Sequence, residues 1–274
     1  MEDDTRENHP DEKAIGPTSN EQPQDQNASS AWDTYLRPLA SLRFGGYRIF
    51  WGSTFLAFAA IQMQMLARSW FIYELTGRAV LIGVMNVAFA IPMLSFSLFG
   101  GALADRIPKR TLLLFSNVLL AIMGVGLAIL ITLDLINWWL LVLSGALNGT
   151  AMAFMGPARQ AIIPELVQPR YLLNAISLGA AQMNITRIAA PGVAGFLIAW
   201  MGIETVFWVM GALAAGAFAL NLFLPAIRAA TDARRRTILR DMGQGLIYVK
   251  DRPVIRDLLI IAFVASIFGF PINL

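Results

Sequence analysis

Residues Gly100–Arg110 read GGALADRIPKR, and this stretch decides the fold. Val80–Phe99 before it and Thr111–Leu133 after it contain no charged residue. Asp105, Arg106, Lys109 and Arg110 are crowded between them. A membrane-spanning helix needs about 20 apolar residues, and both flanks are long enough, so the stretch reads as a tight basic hairpin between two spans. Gly100 and Gly101 are expected to let helix backbones approach closely. Pro108 is expected to end the first helix and fix the turn. Three cations in a short loop predict the cytoplasmic side.

Composition agrees. The chain has 274 residues, of which 57% are hydrophobic and 14% charged; soluble domains carry about 25% charged residues. The net charge of +3 does not predict a nucleic-acid partner, because the cations lie in segments that flank the apolar stretches. There is no cysteine, and the one histidine, His9, lies in a polar N-terminal stretch. A thiol nucleophile and a Cys-based metal site are therefore excluded. No phosphate-cradling GxxxxGK[ST] occurs. Neither a cofactor, a metal site nor an enzymatic activity is expected.

Working outward gives an all-α, polytopic membrane bundle. Residues 1–46 form a polar tail, predicted to be disordered, followed by a juxtamembrane segment that reads as a simple anchor. Residues 47–225 hold six spans, placed near Ile49–Ile72, Val80–Leu103, Thr111–Leu133, Trp139–Gly156, Leu172–Trp200 and Thr205–Leu224. Gly156-Pro157 is expected to end the fourth. Residues 226–253 form a basic linker in which Ile238, Leu239, Met242, Leu246 and Val249 follow helical spacing, as a helix lying on the inner leaflet would. Residues 254–274 begin a seventh span. Of the 21 Lys and Arg, only Arg78 falls in a loop assigned to the outside. That asymmetry predicts a multi-pass protein of the cell inner membrane with its N-terminus in the cytoplasm.

The hairpin resembles the signature loop of the major facilitator superfamily, G-x-L-A-D-R-x-G-R-K-x-x-L. Gly101, Leu103, Ala104, Asp105, Arg106 and Leu113 match directly, Lys109 and Arg110 match as a swapped basic pair, and Pro108 replaces a glycine. Six spans, a long loop and a seventh span resemble that superfamily's two six-helix halves. The chain then reads as the N-terminal half of a longer transporter plus the start of the second. Tyr73–Gly77 (YELTG), Gly156–Leu166 (GPARQAIIPEL), Gly245–Val254 and Phe268–Pro271 are similar to the group that includes the enterobactin exporter. Ala190-Pro191-x-x-Ala194-Gly195 resembles the antiporter motif GPxxGG. In the fourth span Asn148 and Gly149 fit a glutamine-glycine pair of the superfamily, but Gly145 stands where its arginine is expected.

Polar groups inside spans are costly and are functional candidates by default. Gln62, Gln64 and Arg68 lie in the first span, with Gln64 and Arg68 sharing a face at four-residue spacing. Asn148 lies in the fourth, and Gln182, Asn184 and Arg187 in the fifth. These are the candidate substrate-binding residues, with Gln64, Gln62 and Asn184 as candidate neighbours of Arg187. Asn86, Asn117 and Asn221 read instead as interhelical hydrogen-bonding residues. The candidate gating residues, implied by the resemblance, are Gly101, Asp105, Arg106, Lys109, Arg110, Arg159, Pro191 and Gly195, with Arg159 a candidate partner of Asp105. The six spans hold no deep carboxylate, so a proton relay, where a coupling proton is used, is expected elsewhere. The resemblance implies a secondary active transporter in the lipid bilayer that exports small amphipathic, siderophore- or drug-like molecules. Import of a solute, or a non-transporting half-bundle that regulates a membrane partner, are the alternatives.

Overall fold

The computed structural model describes residues 37–104 and 106–225. The tail up to residue 36, Asp105, the linker and the seventh span lie outside the described residues. The described residues from Pro38 onward fall in one unit. A 3-10 helix, Arg37–Arg43, leads into six long helices: α1 (Gly45–Thr76), α2 (Val80–Ala104), α3 (Lys109–Thr132), α4 (Trp138–Leu166), α5 (Leu172–Met201) and α6 (Ile203–Leu222). Five of them, counting Val80–Ser97 of α2, are long and apolar enough to cross a membrane. Helix α5 falls outside that set, because Asn174, Gln182, Asn184 and Arg187 dilute its apolar run.

The helices alternate in direction, so one end of the bundle carries the Gly100–Arg110 hairpin and the other the α1–α2, α3–α4 and α5–α6 turns. At that far end Gly77 stops α1 in the left-handed conformation, φ 63°, and its N–H donates to the Tyr73 carbonyl at 2.7 Å. Glycine adopts this conformation without a Cβ penalty, which gives the last residue of YELTG its physical reason. At the hairpin, Pro108 with φ −52° immediately precedes α3, a position where its missing N–H costs nothing.

Helix α2 packs chiefly on α4, α3 on α6 and α4, and α1 on α6 and α5. The α2–α4 contact is made by backbone. A Cβ at Gly149 would run into the Phe89 carbonyl, one at Gly145 would lie 3.1 Å from the Met85 carbonyl oxygen, and one at Gly100 would run into the Ala153 carbonyl. Small residues at such intervals let membrane helices touch where no hydrophobic driving force separates protein from lipid. The α3–α6 contact has the same character: a Cβ at Gly124 would stand 2.7 Å from the Gly211 nitrogen. Apolar side chains fill the remainder in two clusters, one around Tyr47, Leu113, Met155 and Ile162 near the hairpin end, and one around Ile72, Met85, Leu141 and Phe207 toward the far end.

Three expectations need correction. Gly156-Pro157 does not end the fourth span; α4 continues through both to Leu166. A proline frees the carbonyl four residues back, here that of Ala153, and the Gly100 backbone lies against it. Gly101, in contrast, has no neighbour where its Cβ would stand, so only Gly100 of the pair serves close approach. The juxtamembrane segment is not a simple anchor. Ser41 donates to Asn174 Oδ1 from its N–H at 3.0 Å and its hydroxyl at 2.7 Å, and Tyr47 donates to the Ala175 carbonyl at 2.7 Å, tying the entry of α1 to the start of α5.

Replacing Gly149 by leucine should force α2 and α4 apart at a cost of about 1–3 kcal/mol or more. Thermal unfolding in detergent should show a Tm lower by several degrees, while Gly126→Leu, at an open position on α3, should leave it nearly unchanged. Equal effects would contradict the backbone contact.

Candidate functional site

Two polar layers interrupt the apolar interior, both organised by α1 and α4. The first holds Gln64, Arg68 and Asn148, which are 0%, 4% and 1% exposed. The Asn148 side-chain amide donates to Gln64 Oε1. This bond crosses between helices that pack mainly on other partners. Residues 145 and 149 face α2, and the residue beside them, Asn148, is turned toward α1. Gln64 Nε2, Asn148 Oδ1 and Arg68 Nε and Nη1 are buried and have no partner among the described residues.

The second layer lies nearer the hairpin. The Arg159 guanidinium sits over the Phe58 ring, 4.7 Å from its centroid. It donates to the Gly179 carbonyl at 3.3 Å and to Met183 Sδ at 2.9 Å. Gln182 donates to Thr54 Oγ1 at 3.1 Å and to the Trp51 carbonyl at 3.3 Å. Cation–π placement over Phe58 and a carbonyl acceptor compensate part of the cost of burying the guanidinium. This layer joins α1, α4 and α5.

The remaining candidate binding residues are placed differently. Gln62 is half-buried and stands apart from the Gln64–Asn148 bond. Asn184 and Arg187 are exposed on α5, whereas Gln64 is fully buried with Asn148. The expected grouping of Arg187 with Gln64 is therefore absent among the described residues. Asn117 and Asn221 are buried, but their Oδ1 atoms make no hydrogen bond there. The interhelical bonds instead come from groups such as Ser116, whose hydroxyl donates to the Ala151 carbonyl at 3.0 Å.

At the hairpin, Asp105 lies outside the described residues and Arg106 is half-buried. Lys109 Nζ lies 2.6 Å from Glu165 Oε1, near the end of α4. Arg110 donates from Nε to the Asn221 carbonyl at 3.1 Å and from Nη2 to the Leu222 carbonyl at 2.6 Å. The last carbonyls of a helix have no intrahelical partner, and a cation there also meets the negative end of the helix dipole. The hairpin's basic pair thus fastens the end of α4 and the end of α6. Glu165 was missed as a functional residue although it stands within GPARQAIIPEL; its buried lysine partner could not be read from spacing. In α5, Pro191 lies within the helix, Ala190 and Ala194 face the core, and Gly195 has open space at its Cβ position. A recess of about 490 Å³ at the far end, lined by Phe71, Ile131, Asp134 and Glu204 among others, contains none of the candidate residues.

The profile of a family described as transmembrane secretion effector matches residues 36–272. A staphyloferrin A transporter of Staphylococcus aureus is 29% identical over 163 residues, covering 58% of this chain and 41% of that protein. A multidrug efflux pump, Tap, of Mycolicibacterium fortuitum is 27% identical over 216 residues, covering 74% and 52%. Macrolide efflux protein A of Streptococcus pyogenes is 22% identical over 220 residues, covering 78% and 53%. The chain spans about half the length of the curated relatives it matches.

Two outcomes are expected from these contacts. A double-mutant cycle on Gln64→Leu and Asn148→Leu should return a coupling energy of about 0.6 kcal/mol, the average for interhelical hydrogen bonds in a membrane bundle, and at most about 1.7 kcal/mol; additive effects would deny the contact. Glu165→Lys should lower Tm by leaving Lys109 unpaired beside a like charge, and the swap Lys109→Glu with Glu165→Lys should recover most of the loss. A swap as unstable as the single variant would count against the pair.

Proposed function

This chain belongs to the transmembrane secretion effector family of the major facilitator superfamily, and we propose that the whole protein is a secondary active exporter of small amphipathic, siderophore- or drug-like molecules. The polar layer of Gln64, Arg68 and Asn148 carries the reading: α1 and α4 meet through hydrogen-bonding atoms that the bundle itself leaves incompletely used. In an apolar helix such atoms are costly unless they face a ligand, water or a polar partner. The names of the relatives, a staphyloferrin A transporter, a multidrug efflux pump and a macrolide efflux protein, support the substrate class.

The proposed path runs along α1, α4 and α5. Gln64, Arg68 and Asn148 bind one part of the molecule, and Gln62, Gln182, Asn184 and Arg187 line the remainder. The hairpin residues Arg106, Lys109 and Arg110, with Asp105, Arg159, Pro191 and Gly195, govern closure on the cytoplasmic side. The asymmetry of Lys and Arg along the chain supports an inner-membrane protein with a cytoplasmic N-terminus. Coupling to a proton belongs to this proposal and has its carboxylate outside the six helices, whose acids Glu74, Asp134, Glu165 and Glu204 all stand at helix ends.

Cells lacking their own efflux pumps and expressing the full-length protein should accumulate several-fold less ethidium or macrolide than cells with an empty vector, and a protonophore should abolish the difference. Arg187→Gln should weaken efflux while leaving the protein in the membrane. Equal accumulation of ethidium, a macrolide and a carboxylate siderophore with and without the protein would defeat the export reading, and higher accumulation would establish import instead.

A further inference from the structure

Arg68 is held in an arrangement that the bundle does not complete. It lies one turn beyond Gln64 on α1, is 4% exposed, and forms neither a hydrogen bond nor an ion pair among the described residues. A guanidinium carries five donors and no acceptor, and burying its charge without a counter-charge is strongly unfavourable. The neighbouring helix gives it room but no partner. A Cβ at Gly145 would stand 3.4 Å from Arg68 Nη1 and 3.1 Å from the Met85 carbonyl oxygen. Helix α4 therefore has no side chain at the point where the guanidinium of α1 comes to rest.

The atoms around it are biased toward donors. Arg68 Nε and Nη1 and Gln64 Nε2 are free to donate, and Asn148 Oδ1 is free to accept. Exchanging oxygen and nitrogen on both amides leaves the same count, three donors and one acceptor, because Gln64 and Asn148 are bonded to each other in either arrangement. The described carboxylates offer no neutralising partner. Glu165 is bound to Lys109, and Glu74, Asp134 and Glu204 occupy helix ends. What completes the set is a planar anion with two coplanar acceptors for one of the guanidinium forks, Nε with Nη2 or Nη1 with Nη2, and an edge for the amide N–H. That is a carboxylate.

We propose that Arg68, Gln64 and Asn148 form a carboxylate-binding subsite where α1 and α4 part, and that the transported amphipathic molecules are carboxylic acids. This rests on the export reading for its purpose but not for its chemistry. Arg68, and not the exposed Arg187, anchors the anion. Gln64 and Asn148 orient it. Lysine at position 68 supplies the charge without the planar fork, so it recovers only part of the recognition.

The test uses purified full-length protein in nanodiscs and two fluorescent probes that differ only in charge, dansylglycine and dansylglycinamide. Wild type should bind the carboxylate about tenfold or more tightly than the amide, the discrimination expected of charge-assisted hydrogen bonds. Arg68→Gln should bring the two within about twofold, and Arg68→Lys should fall between. The ligand-free Tm of Arg68→Gln should equal or exceed that of wild type, since an unpaired buried charge has been removed. Wild type that binds both probes alike, or neither, would overturn the subsite, as would an acid elsewhere in the protein already occupying Arg68, which gives that same result. A lower ligand-free Tm for Arg68→Gln would make the arginine structural and overturn it too. Arg68-dependent binding without vesicle flux would defeat the export reading alone, whereas flux of amide and acid at equal rates would defeat the subsite alone.

Discussion

The backbone contact between α2 and α4 is the constraint on which the rest depends. Lipid is as apolar as leucine, so two spans gain little from side-chain burial and must instead fit closely. Gly145, Gly149 and Gly100 make that fit, with main-chain carbonyls of Met85, Phe89 and Ala153 standing where their side chains would be. Once that face of α4 is fixed against α2, its neighbouring face is fixed as well. Asn148 is turned to α1 and meets Gln64, and the absent side chain at 145 lets the Arg68 guanidinium and the Met85 carbonyl both stand against α4. One packing requirement thus sets the rotation of α4 and, through it, the polar layer.

The fold was legible because the strongest signal in a membrane chain is one-dimensional. Apolar runs of span length, broken by charges and turn residues, survive without any knowledge of packing, and the ends of α2, α3, α5 and α6 fall close to where hydropathy and charge put them. The end of α4 was misplaced because Gly156-Pro157 looks like a stop in isolation. Its meaning depends on a second helix, whose Gly100 lies against the carbonyl that the proline releases. Gly101 failed for the converse reason: two adjacent glycines look alike in sequence, but they point about 100° apart on a helix, and only one meets a neighbour.

The candidate site was legible in residue type but not in grouping. Intramembrane polarity selected Gln62, Gln64, Arg68, Asn148, Gln182, Asn184 and Arg187 as a set. Depth along the helices then paired Arg187 with the first-span amides, because depth can be counted and rotation cannot. The structure separates them: Gln64 is buried against α4, and Arg187 lies on the exposed face of α5. The hairpin cations show the same limit. Positive charge near a membrane end reads as orientation, and it took the helix ends themselves to show Lys109 held by Glu165 and Arg110 bound to the last carbonyls of α6.

The two kinds of helix contact differ in what it costs to change them. Separating α2 from α4, or α3 from α6, breaks a fitted backbone surface with no substitute partner. Separating α1 from α4 at Gln64 and Asn148 exchanges one hydrogen bond, of about 0.6 kcal/mol on average in a membrane, for another with any group that carries donors and acceptors. A molecule bearing a carboxylate would offer both that exchange and a partner for Arg68, which has none among the described residues. Binding energy is then available where the helices are least committed to each other, and a ligand can shift a conformational equilibrium only by its differential affinity for the two states. The polar layer between α1 and α4, one hydrogen bond with unpartnered atoms around it among the described residues, is a place where a modest difference in affinity is enough to replace the contact.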